Sequence, residues 1–387
     1  MIFSNAFPEV PVLNVTVVGG EVPPSQIAIV DLTFSENKHD IATITYAGFP
    51  GIAVTSYVGL PVQIKFGNNE SNLIDFVGYV AYVEIEANTR MGSTNDSLIQ
   101  MAKVVCFGSS YQMKPIRSTA YTNKTIKQIV EIFANKYKFS YAVPNNNYVF
   151  SNLNQNQKSD WEMLVGACGK LGYSVTAHGT HISVYDNYSS YYRGLPETVL
   201  YTLEDSKGTE RRAGNIYEFK GFFGDITPHG QSSSFVFNSL DNLGKENTYT
   251  SVENSTSGLG AKLPARFTHQ ITTNTVSKND LEQALRQYTR KTYPMTATAK
   301  VIGVSSAMPG RLAKVQSYNS AFDGYWVIEE ARHEINSKHY ITTLKLKTDS
   351  TNGAGLAPNK GSGYTPPPSS RLSNNLWQTE RELANVY

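Results

Sequence analysis

The 387-residue sequence predicts a mainly β protein with an α+β part: two β-barrel or sandwich domains flank a small α+β module, and a flexible tail follows. Three observations carry this. Segments such as SQIAIVDLTFSE, PVQIKFG and IDFVGYVAYVEIEA alternate or run apolar between turn residues, the pattern of half-buried strands. Helical periodicity is concentrated near the middle of the chain. Charged residues make up only 17% while tyrosine reaches 24, so neutral polar side chains build the surface, as suits β-rich chains with large interfaces.

Residues 1–113 read as all β. VPVLNVTVVGG, IATITYAG and AKVVCFGSSYQM add strands to those above, with Gly19-Gly20 and Asn68-Asn69 as turns. Strands this short and close mean a sandwich or barrel rather than a βαβ sheet. Residues 114–192 form the module. In TNKTIKQIVEIFANKYKF, Ile126, Ile129, Val130, Phe133 and Tyr137 share one helical face. NNNYVFSNLNQNQ reads as a polar connector. Next, SDWEMLVGACGKLGYSV opens with Ser159 and Glu162 at capping-box spacing. Trp161, Leu164, Val165, Cys168 and Leu171 line one face, and Gly172 suits the left-handed turn that ends a helix. Trp161 is therefore expected to be a core residue rather than a binding platform. Two strands, from Tyr173 to Tyr185, surround the turn His178-Gly179-Thr180.

Residues 193–349 return to strands: ETVLYTLED, IYEFKGFFG, SSFVFNS, MTATAKVIGV, LAKVQSYN, YWVIEEARHEI and HYITTLKLKT. Residues 241–265 read as a long loop, and SKNDLEQALRQYTRKTY as a helix capped by Ser277. Residues 350–370 are a Gly/Pro/Ser linker. In 371–387, Leu376, Trp377 and Leu383 can share one short helical face, a peptide that would order by docking on a partner.

The chemistry of sites is sparse. His178 and His181 flank a tight turn with no carboxylate or cysteine at ligand spacing, so no metal is expected. His333 reads as a packing residue. Glu84 with Glu86, and Glu329-Glu330, are strand neighbours better explained as solvated edges than as a glycosidase pair. No nucleophile elbow, zincin motif or phosphate loop occurs. No catalytic, cofactor-binding or metal residue is therefore assigned. A net charge of +2 predicts neither a DNA binder nor a membrane-surface binder, and Arg211-Arg212 with Arg286, Arg290 and Lys291 are the only basic clusters. Tyr188, Tyr191 and Tyr192 read as a packing seam or interface. Cys106 and Cys168 read as reduced and buried. MIFSNAFPEV lacks signal-peptide character, and no run of about 18 apolar residues is present, so no membrane insertion and folding in a reducing cytoplasm are expected.

Two patterns carry a resemblance. SDWEMLVGACGKLGY, followed by a strand pair, resembles the S-D-W-x-x-L…A…LG(Y/F) helix of phage tail baseplate hub proteins. These are the gp27-like or late control protein D-like family, which includes the hub half of type VI spike proteins (VgrG). AMPGRLAKVQSYNSAFDGYWVIEEARHEI…YITTLKL resembles that family's closing β unit, with its turn at Pro309-Gly310 and a strand opening at Gly324-Tyr325. The resemblance covers roughly residues 115–348, although Ser305-Ser306-Ala307-Met308 replaces the family's Gly-Asp-Pro before the turn. It implies two tail-tube-like β domains and a homotrimer with six similar domains in a ring, joining a six-fold tube to a three-fold tip. The implied partners are the tail tube protein or distal tail ring, a separate spike or tip protein, and the tape measure protein. DNA passes through the channel without specific binding. The implied location is the virion, after assembly in the host cytoplasm. The structural and interface candidates are Trp161, Leu164, Tyr173, Pro309, Gly310, Gly324, Tyr325, Leu376, Trp377 and Leu383. The alternatives are a tail-associated peptidoglycan-degrading enzyme and a cell-wall-binding protein.

Overall fold

Alternating apolar positions leave one face of a strand dry, and in this chain many of the strands are gathered into one long sheet. The computed structural model describes residues 12–17, 20–47, 55–68, 73–89, 98–186, 197–201, 215–223, 233–240, 246–253, 267–273, 295–316, 324–337 and 339–348. The expected helix after Ser277 and the tail from 350 lie outside the described residues.

The N-terminal strands are β1 (Val12–Val17), β2 (Gly20–Val22), β3 (Ile27–Ser35), β4 (Ile41–Ala47), β5 (Pro61–Gly67), β6 (Ile74–Thr89) and β7 (Leu98–Gly108). The middle region holds β8 (Ile116–Arg117), β9 (Ala120–Thr125), α1 (Ile126–Tyr137), β10 (Ser140–Ala142), β11 (Val149–Asn154), β12 (Lys158–Ser159), α2 (Asp160–Lys170), β13 (Tyr173–His178) and β14 (His181–Asp186). The remainder comprises β15 (Glu197–Tyr201), β16 (Ile216–Phe223), β17 (Ser233–Leu240), β18 (Glu246–Glu253), β19 (Phe267–Thr273), β20 (Met295–Ile302), β21 (Leu312–Gln316), β22 (Gly324–Asn336) and β23 (Tyr340–Thr348). The fold is mainly β with a small helical part.

Two expectations are corrected. Val149–Asn154, read as connector, is a strand paired with β9; Glu246–Glu253, read as loop, is a strand paired with β17. Neither has an apolar run. Partner backbone and the β preference of Thr, Tyr, Val and Phe suffice.

Thirteen strands form one sheet, ordered β16-β20-β23-β22-β3-β4-β7-β6-β5-β1-β2, with β21 and β15 branching from β22. The N-terminal and C-terminal strands thus meet at β22–β3, an antiparallel ladder running from Glu330↔Ser35 to Asn336↔Ile29. The order contains a repeat. Taking four strands of each half in chain order, β16-β20-β23-β22 reads first, second, fourth, third, and so does β3-β4-β7-β6. The irregularities match too. Each first strand carries one extra residue near its start, Ala28 and Tyr217. Each third strand carries one in mid-strand, Ala81 and Glu329. Before that bulge the third strand pairs with a preceding strand, β5 or β21.

The N-terminal core gathers Val30, Leu32, Phe34, Ile44, Ile64, Phe66 and Phe76, and it is completed by Met308, Ile335 and Tyr340 from the far end of the chain. A second core surrounds Trp326, fully buried beside Val301, Ile328, Leu344 and Leu346. In the middle region α1 and α2 lay Ile129, Phe133, Trp161 and Leu164 on Val175, Ile182 and Val184. Both helices begin with a complete capping box, Thr125/Gln128 and Ser159/Glu162. α1 ends on Lys138 in the left-handed region at φ 59°.

Candidate functional site

The candidate site comprises two sheet edges and, between them along the strand order, a buried joint. β6 is 16 residues long. Its first half pairs with β5 only as far as Tyr79, and Val80 closes that ladder through bonds with Gly59 and Leu60. Beyond the bulge, one side of β6 follows β7 to Thr89↔Leu98, and its other side meets no strand among the described residues. Tyr82 is 52% exposed and Ile85 44% there. At the opposite end of the repeat, β16 pairs with β20 on one side only among the described residues. Tyr217 and Phe222 stand out from it, 64% and 49% exposed. Long edges with exposed apolar side chains are templates for another strand.

The joint is the turn from β3 to β4, residues 36–40. Glu36 is buried against Lys347 of β23 at 2.5 Å and accepts from Ser174 Oγ at 3.1 Å. Its N–H donates to the Glu329 carbonyl at 3.0 Å. Asn37, at φ 59°, donates its N–H to the Val175 carbonyl at 2.7 Å and accepts from Val175 N at 2.9 Å through its side chain. Asp40 meets His178 Nδ1 at 2.8 Å, and burial pushes its carboxyl upward against the pull of that histidine. The His39 ring lies 5.0 Å from Trp161 and bonds Ser110 Oγ at 3.0 Å. Four of these five residues therefore tie the N-terminal sheet, the middle region and the C-terminal strands together.

Trp161, Leu164 and Tyr173 are all buried in the middle core, Trp161 at 5% exposure. Asp160, read from sequence only as a helix-dipole residue, is fully buried. Burial raises its carboxyl, but bonds from Lys136, Tyr137 and Gln155 outweigh that and hold it below the usual range. Pro309 and Gly310 form a buried turn. Gly310 sits at φ +81°, and a Cβ there would lie 2.7 Å from the Tyr185 ring. Gly324 opens β22 at φ +134°. Tyr325 packs with Tyr185, Leu312 and Val327. The structure thus brings Gly310 and Tyr325 together around Tyr185, a residue of the middle region. Leu376, Trp377 and Leu383 lie outside the described residues. Gly310→Ala combines a disfavoured φ with a ring clash, so a loss of about 1–3 kcal/mol is expected. Chemical unfolding measures it, and an unchanged midpoint would refute the packing role.

His178 and His181 hold no metal-ligand cluster; among the described residues there is no group of three or more potential ligands. His333 is fully buried among Phe34, Phe66 and Tyr340, with Thr342 Oγ1 at 3.2 Å and Tyr340 OH at 3.0 Å from Nδ1. Burial depresses His333 to about 3, and His39 and His181 to about 4. An unfolded histidine titrates near 6.5, so this stability is complete above that pH and is lost as pH falls through 6.5 toward 3–4. The raised carboxyls of Glu36 and Asp40 act in the opposite sense. His333→Met should therefore flatten the acid limb relative to the parent chain. Urea midpoints from pH 7 to 3 test it, and parallel curves would refute it.

Sequence reasoning missed Trp326, Glu36 and Lys347. Trp326 had a signal, a large aromatic inside an apolar strand. The ion pair had none, because its partners lie 311 residues apart.

The elements define a class: a mainly β chain in which a duplicated four-strand unit brackets a small helical region. No family model matches the sequence, and no curated protein is similar to it in sequence. Solved structures do match. A tail protein from Neisseria meningitidis aligns over 90% of this chain and 99% of its own, at 13% identity and a TM-score of 0.65. The 43 kDa tail protein of prophage MuSo2 from Shewanella oneidensis aligns over 87% and 98%, at 12% identity and a TM-score of 0.61. An Escherichia coli type VI secretion component, described as structurally similar to the T4 tail proteins gp27 and gp5, aligns over 91% and 79%, at 13% identity and a TM-score of 0.54. The chain therefore shares the fold of these two tail proteins and of the type VI secretion component.

Proposed function

We propose that the chain is a structural hub protein of a bacteriophage tail baseplate. Three copies form a ring with pseudo-six-fold symmetry that adapts a hexameric tube to a three-fold tip and leaves a channel for DNA. The observation that carries this is the repeated strand order within one sheet. Three chains with two such units each present six similar units, which is what a three-to-six adaptor needs. The fold shared with tail proteins supports the same reading. The role is assembly and force transmission rather than catalysis. The partners on this reading are the tail tube protein or distal ring on one face and a separate spike on the other, with the tape measure protein as a further candidate. The protein works in the virion after assembly in the host cytoplasm. Among the described residues no helix is long and apolar enough to cross a membrane. The domain division stays as read from sequence: 1–113, 114–192 and 193–349, with a linker to 370 and a docking peptide over 371–387.

Light scattering across a dilution series tests the ring. Three copies of the 42.7 kDa chain weigh about 128 kDa. A stable species of another stoichiometry would overturn the trimer. Replacing Trp377 and Leu383 by alanine should leave the melting curve unchanged and weaken assembly, Trp377 being the anchor of the docking peptide. Unchanged assembly would remove the peptide from the interface.

A further inference from the structure

We infer that residues 371–387, the docking peptide of the hub reading, bind an aromatic row on the face of the N-terminal sheet turned away from its core, made by Ile41, Phe107 and Tyr79 and extended by Tyr111. This deepens the hub reading and rests on it for the peptide alone.

The row is set by register. Ile41 of β4 stands opposite Phe107 of β7, and Phe107 stands opposite Tyr79 of β6. Their chain neighbours Ala42, Cys106 and Val80 belong to the N-terminal core, so the three side chains share the opposite face. Such a face is polar where it meets only water, yet Ile41 and Tyr79 are 38% and 36% exposed there. Tyr111 lays its ring flat on Phe107, with centroids 4.5 Å apart and planes 8° from parallel. Gln112 Nε2 donates to the Tyr79 hydroxyl at 2.8 Å and holds the other end of the row. Rings fixed in this way lose little freedom when something lies on them. Beside them, the exposed Lys114 sets Nζ 4.5 Å from the Tyr111 ring centroid and donates to its hydroxyl at 2.9 Å. Both contacts are neutral, so a positive charge flanks the row.

Position, reach and chemistry name the occupant. β22 is antiparallel to both β23 and β3, so β23 and β3 run the same way. Thr348 therefore leaves the sheet at the end where β3 turns into β4, and Ile41 begins β4 at that end. Ile41 pairs with Thr33, Thr33 with Arg332, and Arg332 with Thr343, so Thr348 lies three strands across and five residues along from Ile41. At 3.3 Å per residue and 4.8 Å per strand the path is about 22 Å, and about 29 Å to Tyr79. Residues 349–370 number 22. A coil of that length spans about 26 Å, and a linker serves best where its span matches the gap. In the peptide Trp377 and Leu383 are the apolar anchors, with Glu380 midway between them. Six residues of helix rise about 9 Å, and the two strand spacings from Ile41 to Tyr79 come to about 10 Å. Each anchor then meets one end of the row, and Glu380 comes over its middle beside Lys114.

The test uses the full chain with photoreactive benzoylphenylalanine in place of Trp377. After irradiation, peptide mapping should place the cross-link on Ile41, Tyr79 or the stretch from Phe107 to Tyr111. Ile41→Glu combined with Tyr79→Glu, both at exposed positions, should cut the yield about ten-fold with the melting curve unchanged, and Lys114→Glu about three- to ten-fold. Should the double variant lose its fold, Lys114→Glu decides alone. Cross-links that map elsewhere, or a yield indifferent to these changes, overturn the proposal. A cross-linked product of single-chain mass keeps the docking and removes the peptide from assembly, whereas a product of doubled mass keeps both. A cross-link to the row in a species that light scattering finds not to be a trimer keeps the docking and refutes the three-fold hub. A stable trimer without any cross-link refutes the docking and leaves the hub.

Discussion

Replacing Lys347 by alanine should destabilise the chain by about 3–5 kcal/mol, because it leaves the Glu36 carboxylate buried with no cation beside it. Both side chains are almost fully buried, 8% and 4% exposed, and their atoms approach to 2.5 Å. Desolvating two charges costs nearly as much as their attraction returns, so the pair adds little net stability. What it does is fix geometry. Glu36 begins the turn that also holds Val175 and His178, so the lost bond loosens the middle region together with β23. The double variant Glu36→Leu with Lys347→Met should recover much of the loss. Urea unfolding of the three variants decides it. A single variant no worse than an exposed substitution would show that the pair has no structural part.

Trp326→Ala should cost about 3–5 kcal/mol, the range for emptying the site of a buried tryptophan. Trp326 is 1% exposed and meets the Phe219 ring edge-on, with centroids 5.8 Å apart. Phe219 lies on β16, the outer strand. The cavity should therefore loosen that strand against β20 and weaken self-association as well as the fold. Trp326→Phe, which refills most of the space, should lose far less of both. Differential scanning calorimetry and light scattering on the same samples separate the effects. Full association in a destabilised Trp326→Ala chain would show that β16 takes no part in it.

The strands with alternating apolar residues and the two helices of the middle region are legible because their signals are local. In β3 the buried Val30, Leu32 and Phe34 follow the period of two visible in IVDLTFS, and in α2 the capping box and apolar stripe are both written in SDWEMLVGACGKL. Partnership was not legible. A period of two says which side chains turn inward and nothing about which strand lies alongside. That β22 joins β3, that Met308 and Tyr340 finish the N-terminal core, and that the two units share one strand order all depend on long-range pairing. The repeat escapes the sequence because its surviving marks are an extra residue in each of four strands, and a bulge has no residue signature of its own. At the candidate edges the exposed Tyr82, Ile85 and Phe222 read as ordinary strand residues until the strand order shows where they stand.

The β22–β3 ladder also sets a clock. Ser35 waits for Glu330, 295 residues later in the chain. At roughly 5–20 residues per second that interval is on the order of 15–60 seconds, during which β3 leaves the ribosome with one flank unsatisfied. The nascent N-terminal unit then lacks the partner that β3 has in the finished chain. Arg332 reaches Asp31 only after β22 has been made, so a polypeptide that stops before β22 lacks the seal on β3. Prematurely terminated chains should therefore be less stable than the full chain, with β3 exposed along one side. Expression as N-terminal fragments should yield material held by chaperones instead of partial assemblies.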